Sequence, residues 1–347
     1  MVVQKVLVTG GAGYIGSHTV LELLKRCYDV VIFDNFSNSS PAVIDRILQI
    51  NSKSVQASGN LYVIEGDIKN LYNLRSVFST HDIDLVIHFA GLKSVSESVN
   101  EALNYYHNNV SGSLNLFEAM SEAGVFKLIF SSSATVYQDG GNTALNELSA
   151  TGMLTNPYGR SKLMIEDVLR DLCISNEQWS IAVLRYFNPI GAHESGLIGE
   201  HPLGIPNNLI PYVNQVASGQ REFLTIFGDD YNTKDGTGVR DYIHVSDLSV
   251  GHLSAMQWTE ENAGFGVWNL GTGKPYSVSE VLASYEKISS RKIPIKIGPR
   301  RAGDLASCYA DPSRARHELN WVAKYDIDRM LADAWRWHSQ NPNGYDS

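Results

Sequence analysis

The sequence predicts an α/β fold, a doubly wound parallel sheet joined to a smaller, interleaved α/β lobe. A β-branched strand from Val2 to Thr9 leads directly into the glycine-rich segment GGAGYIG at 10–16. Strand-like and helical segments then alternate as far as Pro189, which is typical of a parallel sheet with helical crossovers. Beyond that point glycine, proline and asparagine become frequent, as in 191–206, so we place the second lobe there.

The individual elements follow from apolar runs and from apolar residues at helical spacing. Because ligands of parallel sheets bind beyond the carboxyl ends of the strands, the residues that follow each strand are the candidates for function. Strands are expected at Val2–Thr9, Asp29–Phe33, Leu61–Glu65, Asp84–Phe89, Phe130–Thr135 and Ile181–Phe187, and helices at Ser17–Arg26, Leu71–Ser79, Ser98–Ala123 and Pro157–Cys173.

The change of composition after Pro189 sets the predicted domain boundary. We expect residues 1–189 to form the first domain and residues 190–347 the second lobe. The apolar segment near 239–245 is predicted to return a strand to the first domain, so that the two are interleaved in the chain.

The segment Gly10–Gly16 lies between a strand and a helix and is expected to bind phosphate. Glycines are needed because a side chain would block both the tight turn and the approach of a pyrophosphate to the amides of the helix N-terminus. Ser17 and His18 follow, rather than Lys and Ser/Thr, which excludes the phosphate loop of ATPases.

Asp34 directly follows the second predicted strand, about 20 residues after the glycines, where a dinucleotide fold places an acid for the adenosine ribose. It favours NAD over NADP, because a carboxylate repels a 2′-phosphate and residues 35–39 contain no arginine to attract one. Strand, glycines, helix, strand and acid in this register indicate a Rossmann-type dinucleotide site.

Tyr158 and Lys162 lie four residues apart in the segment NPYGRSK at 156–162, so a helix would place the phenol and the ammonium on one face. Pro157 suits the first helical turn, and the polar residues before it can cap the helix. With Ser133 at the end of a strand, these side chains are candidates for an acid/base group. The same spacing also occurs by chance, as a solvated lysine beside a half-buried tyrosine, so the pair gains its weight from the dinucleotide site.

The composition excludes several classes of protein. The 347 residues, 43% of them hydrophobic, suffice to bury a core, and a net charge of −9 argues against nucleic-acid binding. Cys27, Cys173 and Cys308 are odd in number and far apart, which indicates reduced thiols rather than disulfides or a metal site. Since no apolar run approaches roughly 18 residues and no targeting segment is visible, we expect a cytoplasmic protein that binds no membrane.

Nine segments spread over nearly the whole chain carry a resemblance to a known family. They are TGGAGYIGSH (9–18), DN (34–35), HFAGLK (88–93), SSSATVY (131–137), NPYGRSK (156–162), LRYFNP (184–189), GIPNNL (204–209), GVRDYIH (238–244) and PRRAGD (299–304). Together they resemble the extended short-chain dehydrogenase/reductase family. The segments of the second half resemble, more narrowly, its UDP-galactose (UDP-glucose) 4-epimerases.

The resemblance implies a tightly bound NAD that is regenerated in each cycle. Phe89 and Phe187 would also serve as core residues in any fold. The implied cofactor-binding residues are Gly10, Gly13, Tyr14, Ile15, Gly16, Asp34, Asn35, Asn38, Ser39, Asp67, Ile68, Phe89, Ala90, Lys93, Asn108, Ser133, Tyr158, Lys162 and Phe187.

The resemblance also implies a UDP-hexose substrate and a homodimer formed by the helices near 98–123 and 157–173. Arg240, Arg300 and Arg301 are the clearest candidates for the diphosphate, with surface salt bridging as the alternative, above all for Arg300. Asn208 alternatively caps a helix, and His244 is expected to be structural. The implied substrate-binding residues are Lys93, Ser133, Tyr158, Asn188, Asn208, Leu209, Phe227, Arg240, Arg301, Asp304 and Cys308.

The implied reaction removes hydride from C4 of the sugar, lets the 4-keto sugar turn over and returns the hydride to the other face. Tyr158 is the expected base. A phenol titrates near 10, so activity at neutral pH needs a pKa about 3 units lower, which is roughly 4 kcal/mol. We expect Lys162 to supply about 1 to 3 units and the nicotinamide ring and helix N-terminus to supply the remainder. Ser133 would hydrogen-bond the reacting oxygen or relay its proton.

Cys308 stands where, in this resemblance, the narrower epimerases of bacterial type carry a tyrosine. The smaller side chain predicts that an N-acetyl group at C2 is admitted, so that UDP-GlcNAc and UDP-GalNAc also interconvert. A different local path, with Tyr309 filling the space, is the alternative.

Three other functions are compatible with parts of the sequence. A nucleotide-sugar dehydratase needs an added acid, which Ser133-Ala134-Thr135 does not supply. A decarboxylase needs a cation directed at C6, and the sequence does not exclude one. A non-catalytic dinucleotide sensor would not need Tyr158 and Lys162, so the intact pair favours an enzyme.

Overall fold

The computed structural model describes residues 4–53, 58–204, 206–301 and 304–346. Some residues of the sequence analysis lie outside the described residues. They are Val2 and Val3 of the first predicted strand and the motif residues Ile205, Ala302 and Gly303.

The chain divides into two compact units, each assembled from separate stretches of sequence. Unit 1 consists of Met1–Gln138, Ala150–Arg185 and Ser249–Trp268, and unit 2 of Asp139–Ser149, Tyr186–Leu248 and Asn269–Ser347. This division differs from a single boundary after residue 189, because the chain passes into unit 2 briefly at 139–149 and returns to unit 1 at 249–268.

The strands are numbered along the chain. They are β1 (Lys5–Thr9), β2 (Asp29–Asp34), β3 (Leu61–Glu65), β4 (Leu85–His88), β5 (Lys127–Ser133), β6 (Ser180–Tyr186), β7 (Asn188–Ile190), β8 (Leu224–Phe227), β9 (Val239–His244), β10 (Gly264–Leu270), β11 (Pro275–Ser277), β12 (Ile295–Gly298) and β13 (Ser307–Cys308).

The α-helices are numbered in the same way. They are α1 (Tyr14–Lys25), α2 (Ala42–Asn51), α3 (Leu71–Thr80), α4 (Val95–Asn100), α5 (Ala102–Tyr105), α6 (Gly112–Glu122), α7 (Pro157–Ser175), α8 (Leu209–Ala217), α9 (Val245–Glu261), α10 (Val278–Ser289), α11 (Ser313–Glu318) and α12 (Ile327–Gln340).

Unit 1 is built on a seven-stranded sheet of order β10-β6-β5-β4-β1-β2-β3. Strand β1 pairs in parallel with β2 on one side and with β4 on the other, and both pairings extend to its last residue, Thr9. The predicted Rossmann-type sheet is therefore confirmed. Its strand order reverses between β1 and β4, which is where ligands of such sheets bind.

The strand predicted to return near 239–245 is placed differently. Strand β9 pairs with β11, β13 and β7 in a four-stranded sheet of unit 2, and β10 is the strand that joins the large sheet beside β6. Both strands begin with two half-buried residues and are buried over the rest of their length, so burial alone does not distinguish them. The prediction of a returning strand was right in kind and wrong in position.

The helix predicted at 98–123 is not continuous. Helix α4 ends at Asn100, and the next residue, Glu101, leaves helical geometry with φ −118° and ψ 41°. Residues Tyr106–Ser111 then form a π-helical turn between α5 and α6. Ser94 caps α4 by accepting a hydrogen bond from Glu97 N at 3.3 Å, so the segment begins earlier than predicted.

Unit 2 has its own core, in which α8, α10 and α12 pack against one another. Val213, Tyr285 and Leu331 are fully buried there, one from each helix. A two-stranded parallel sheet of β8 and β12 accompanies the four-stranded one. Within the described parts of both units, we find no helix with the length and apolar character that a membrane crossing requires.

Candidate active site

The glycine loop after β1 is closely packed. Gly10 has φ +71°, and a Cβ atom there would lie 2.7 Å from Ala90 N. A Cβ on Gly16 would lie 2.3 Å from Gly10 O, whereas one on Gly13 would lie 3.2 Å from the same oxygen. Gly13 is the N-cap residue of α1 and supplies no capping side chain. The loop thus has the close backbone approach that a pyrophosphate at a helix N-terminus needs, and it fits a dinucleotide.

Asp34 braces this loop from the end of β2. Its Oδ2 accepts a hydrogen bond from Ala12 N at 3.0 Å, and its Oδ1 accepts from Phe36 N at 2.9 Å and from Ser39 Oγ at 3.0 Å. Burial raises the pKa of the carboxyl, and these hydrogen bonds oppose the rise. Asp34 is therefore held at the loop beside the glycines, as the prediction for a ribose-binding acid requires.

The remaining cofactor candidates of unit 1 lie on the helix and loops around that edge of the sheet. Asn35 Nδ2 donates to Asp67 Oδ2 at 3.2 Å, which joins the loops after β2 and β3. Ile68 is buried, and the Phe89 ring lies 4.7 Å from the His252 ring. The others are Tyr14 and Ile15 on α1, Asn38 after β2, and Ala90 and Lys93 after β4.

Tyr158 lies in the first turn of α7, which begins with Pro157 as predicted. Asn156 Oδ1 caps the helix by accepting from Gly159 N at 2.8 Å. The Tyr158 phenol is hydrogen-bonded to the Ser133 side chain. Burial raises the pKa of Tyr158, and the Ser133 hydrogen bond opposes the rise. The direction is opposite to the one that base catalysis at neutral pH requires, because burial of a phenolate outweighs a single hydrogen bond.

Lys162 lies one turn further along α7 and is only 5% exposed. Its Nζ donates to Ser131 O at 2.6 Å and lies 4.8 Å from the centre of the Phe130 ring. Burial lowers the pKa of Lys162 to about 8, and the Glu166 carboxylate opposes the fall. The structure thus brings Ser133, Tyr158 and Lys162 to the junction of β5 and α7.

A buried ion pair behind this junction was missed in the sequence. Glu166 and Arg185 are 0% and 4% exposed, and Arg185 Nη2 and Nε donate to the two carboxylate oxygens at 2.6 and 3.0 Å. Ser132 Oγ donates to the same carboxylate at 2.5 Å. A signal was present, since Glu166 follows Lys162 by four residues and Arg185 interrupts an otherwise apolar strand.

His88, at the end of β4, was also missed. Ser113 Oγ donates to Asn109 O at 2.5 Å, so it accepts from His88 Nε2 at 2.9 Å. His88 Nδ1 then accepts from Thr9 Oγ1 at 2.7 Å. Burial, and next to it the Lys162 ammonium, lower the pKa of His88 to about 3. His88 is therefore a neutral imidazole that joins β1, β4 and α6.

Asn109, the neighbour of the cofactor candidate Asn108, anchors the π-helical turn to the rest of unit 1. Its Oδ1 accepts from Leu92 N at 2.8 Å, and its Nδ2 donates to Leu92 O at 3.0 Å and to Ser161 Oγ at 3.2 Å. Asn108 Nδ2 donates to Asn109 Oδ1 at 3.0 Å. The turn thereby positions the loop that carries Lys93.

In unit 2, Arg240, Asp304 and Cys308 lie around β9 and β13. Arg240 pairs in register with Cys308, and its Nη1 donates to Val239 O at 2.8 Å and to Leu305 O at 2.9 Å. Arg240 Nη2 lies 3.8 Å from Asp304 Oδ1. Burial raises the pKa of the Cys308 thiol to about 11, so the thiol is protonated at neutral pH.

The two neighbouring arginines differ. Arg301 stacks on Phe227, with its guanidinium carbon 4.0 Å from the ring centre. Arg300 donates through Nε to Asp230 Oδ1 at 2.8 Å, and this ion pair is exposed. The surface salt bridge considered for Arg300 is therefore present, and the Arg300 guanidinium also lies over the Tyr231 ring, 4.3 Å from its centre.

The other substrate candidates of unit 2 lie on separate elements. Asn208 stands at the N-cap position of α8, but its side chain makes no capping bond and donates instead to Glu200 Oε1 at 2.8 Å. Leu209 begins α8, and Asn188 is exposed at the start of β7. Phe187, expected at the cofactor, is buried in unit 2.

His244 is structural, as expected. Its Nδ1 accepts from Ser246 N at 3.0 Å, and its Nε2 lies 3.3 Å from Asp333 Oδ2. Both ring nitrogens are therefore used within unit 2.

Comparison with known proteins gives matches along nearly the whole chain. The family described as GDP-mannose 4,6 dehydratase matches residues 7–334. The UDP-glucose 4-epimerase of Pasteurella multocida is 53% identical over 340 residues, which are 98% of this chain and 99% of that protein. The UDP-glucose 4-epimerase of Mus musculus is 53% identical over 348 residues, 99% of each chain.

Among solved structures, the UDP-glucose 4-epimerase of Bifidobacterium longum in complex with NAD⁺ and UDP is 50% identical to this chain. It has a TM-score of 0.94 and covers 98% of this chain and 100% of its own. Sequence identity at this level along both whole chains confirms the resemblance found in the motifs. The chain belongs to the UDP-glucose 4-epimerases of the extended short-chain dehydrogenase/reductase family.

Proposed function

We propose that this chain is an NAD-dependent isomerase that interconverts UDP-galactose and UDP-glucose. The observation that carries the proposal is the junction of β5 and α7, where Tyr158 is hydrogen-bonded to Ser133 and Lys162 is buried one helical turn away. The glycine loop and Asp34 support NAD as the cofactor, and the family relationship supports the UDP-hexose.

When bound, NAD takes up the hydride of sugar C4 and returns it to the opposite face. Tyr158 accepts the proton of the C4 hydroxyl in the first half of the cycle and gives a proton back in the second. Ser133 donates to the phenol oxygen and so stabilises its anionic form.

Lys162 has the electrostatic role. The Lys162 ammonium donates a hydrogen bond to the Ser131 carbonyl. Lys162 lies one helical turn after Tyr158, on the same face of α7. An ammonium within about 4 to 6 Å of the phenol oxygen would favour the phenolate over the phenol. Because burial already raises the pKa of Tyr158, this contribution and that of the cationic nicotinamide ring must exceed about 3 units.

Unit 2 supplies the candidates for UDP. Arg240 and Arg301 carry the charge that a diphosphate needs, and Phe227 holds the Arg301 guanidinium. A firm grip on the nucleotide, with few fixed contacts to the hexose, suits a reaction in which the sugar must turn over.

Cys308 supports a wider substrate range, which includes UDP-GlcNAc and UDP-GalNAc. It pairs with Arg240 in register, so it lies beside a residue assigned to the diphosphate. The alternative, that Tyr309 fills the space, remains to be compared, and the Tyr309 hydroxyl donates to Asn142 O at 2.9 Å. A thiol in the place of a phenol leaves room for an acetamido group.

A homodimer and a cytoplasmic location complete the proposal. Large apolar side chains of unit 1 are exposed on the helices implied in dimerisation, and burial against a second copy would remove them from water. The cysteines are all free thiols, as in reducing compartments. The exposed residues are Val99 at 60%, Leu103 at 75%, Met164 at 47% and Ile174 at 77%.

The proposal is tested by incubating the purified protein with UDP-galactose, without added NAD, and identifying the products. Formation of UDP-glucose is expected, because the cofactor is retained and regenerated. The match to a dehydratase family makes a dehydrated 4-keto-6-deoxy product the alternative to look for. Detection of that product, or of no conversion after NAD is added, would contradict the epimerase assignment.

A further inference from the structure

The last three residues of β5 each contact a different residue of α7. Ser131 O accepts from Lys162 Nζ at 2.6 Å, and Ser132 Oγ donates to Glu166 at 2.5 Å. Ser133 is hydrogen-bonded to Tyr158. Ser131, Ser132 and Ser133 thus connect the end of β5 to three successive turns of α7.

Of these connections, the one through Glu166 is absent from the reaction described above. Glu166 is completely buried, and a buried carboxylate without compensation is strongly unfavourable. Arg185 compensates it from β6 with two donors, in the parallel geometry that fixes the carboxylate plane. Replacing such a pair by apolar residues is often neutral or stabilising, so stability alone does not account for it.

The charge of Glu166 reaches the site through Lys162. The Lys162 ammonium interacts electrostatically with Glu166 of its own helix and with the neutral His88 of β4, and Arg185 of β6 pairs with the Glu166 carboxylate. Glu166 is the anion that keeps the buried Lys162 charged against the effect of burial. Aspartate at position 166 would keep the negative charge on a side chain that is one methylene shorter. Glutamine would keep the size of the side chain and remove the charge.

We propose that Glu166, fixed by Arg185 and Ser132, is a positioning residue of the epimerase reaction, which maintains the charged state of Lys162 and the register of Ser133 with Tyr158. This proposal rests on the proposed function. Glu166 would act on the reaction in two ways. Its charge would act on Lys162, and its hydrogen bond with Ser132 would hold the end of β5 in place.

The experiment compares the pH dependence of kcat/KM for UDP-galactose in the wild type, Glu166→Gln, Glu166→Asp and Ser132→Ala. Loss of one neighbouring charge is expected to move the alkaline limb of the Glu166→Gln profile about one pH unit lower. Glu166→Asp should restore the limb. Ser132→Ala keeps the charge, so its kcat should fall severalfold without movement of the limb.

A second variant covers the possibility that Glu166→Gln leaves Arg185 buried without a partner and fails to fold. In Glu166→Met with Arg185→Met the pair is replaced by apolar side chains, which favours folding, and the alkaline limb should again move down, but by less than in Glu166→Gln because the Arg185 cation is lost as well. An unmoved limb in whichever charge-removing variant folds, with kcat lowered equally at all pH values, would overturn the proposal. A wild type without epimerase activity would instead overturn the proposed function.

Discussion

Lys162 Nζ donates to the backbone oxygen of Ser131 at 2.6 Å. This charged hydrogen bond joins the carboxyl end of β5 to the N-terminal half of α7. This bond fixes the ammonium one turn from Tyr158 without using the phenol as its partner. The ammonium is therefore held by β5, and the phenol does not have to serve as its hydrogen-bond acceptor.

Replacement of Tyr158 by Phe should abolish turnover. The ring and its packing are retained, but the proton acceptor is lost, and general-base groups contribute about 10² to 10⁴ in rate. The measurement is kcat for UDP-galactose at neutral pH, with NAD content determined in parallel. Tyr72→Phe, at a side chain 79% exposed on α3, is the matched control and should retain full activity. Retention of kcat in the Tyr158 variant would exclude the assigned base.

Replacement of Lys162 by Met should change how stability depends on pH. Burial holds the pKa of Lys162 at about 8 in the folded chain, against 10.5 for a free lysine. Between these values the unfolded chain binds more protons here, so the contribution of Lys162 to the free energy of unfolding rises with pH. The wild type should gain up to roughly 3 kcal/mol over the variant across that window.

The measurement for this prediction is urea unfolding of both proteins at pH 7.5 and pH 10. The comparison with the variant cancels the titration of all other groups. A difference in unfolding free energy that is the same at both pH values would show that burial does not lower the pKa of Lys162 in the folded chain.

Substitution of Gly16 by Ala should damage the glycine loop more than substitution of Gly13. The added Cβ would lie 2.3 Å from Gly10 O in the first case and 3.2 Å in the second, so only the first forces the backbone apart. The expected result is a lower thermal midpoint and little retained NAD for Gly16→Ala. Gly13→Ala is the matched control, and its thermal midpoint, measured on the chain without cofactor, should lie closer to that of the wild type. Equal midpoints in the two variants would contradict the packing described here.

Replacement of Cys308 by Tyr should remove activity on N-acetylated sugars. A phenol next to Arg240 would clash with an acetamido group, and such exclusion lowers kcat/KM for UDP-GalNAc tenfold or more. Activity on UDP-galactose should change little, and Cys308→Ser, which keeps the size, should behave as the wild type. Undiminished conversion of UDP-GalNAc by the tyrosine variant would refute the role of Cys308.

Introduction of a charge at Leu103 should dissociate the proposed homodimer. Leu103 on α5 is 75% exposed in the single chain, and burial of an unpaired Glu in an interface is strongly unfavourable. Light scattering after gel filtration should show about twice 38.3 kDa for the wild type and the monomer mass for Leu103→Glu. Leu148→Glu, at a position 93% exposed in unit 2, is the control and should leave the mass unchanged.

The sequence predicted the sheet and the catalytic helix because both depend on local patterns. The glycines and Asp34 recur at fixed spacing, and Asn156 with Pro157 gives a complete start signal for α7. Strand β3 was predicted with its observed bounds, Leu61–Glu65. Helix α2 was missed, although Val43 and Ile47 give it a buried face at helical spacing.

The rest depends on contacts between residues distant in sequence. The positions of Glu166 and Arg185 each give a signal in the sequence, but only the packing of α7 against β6 makes them a buried ion pair. The position of the returning strand depends on which of β9 and β10 finds a partner in the large sheet. The pKa of Tyr158 depends on a balance of burial and charge that spacing does not contain.

The π-helical turn at Tyr106–Ser111 has a consequence for how the family can vary. One residue fewer there would restore ordinary helix, and each residue turns the chain by about 100°. Asn109 would then swing away from Leu92 and Ser161, and the loop bearing Lys93 would lose its anchor. Natural changes in chain length should therefore be tolerated at surface loops and rejected in this turn. This should hold even though the loss of one residue here would make the helix more regular.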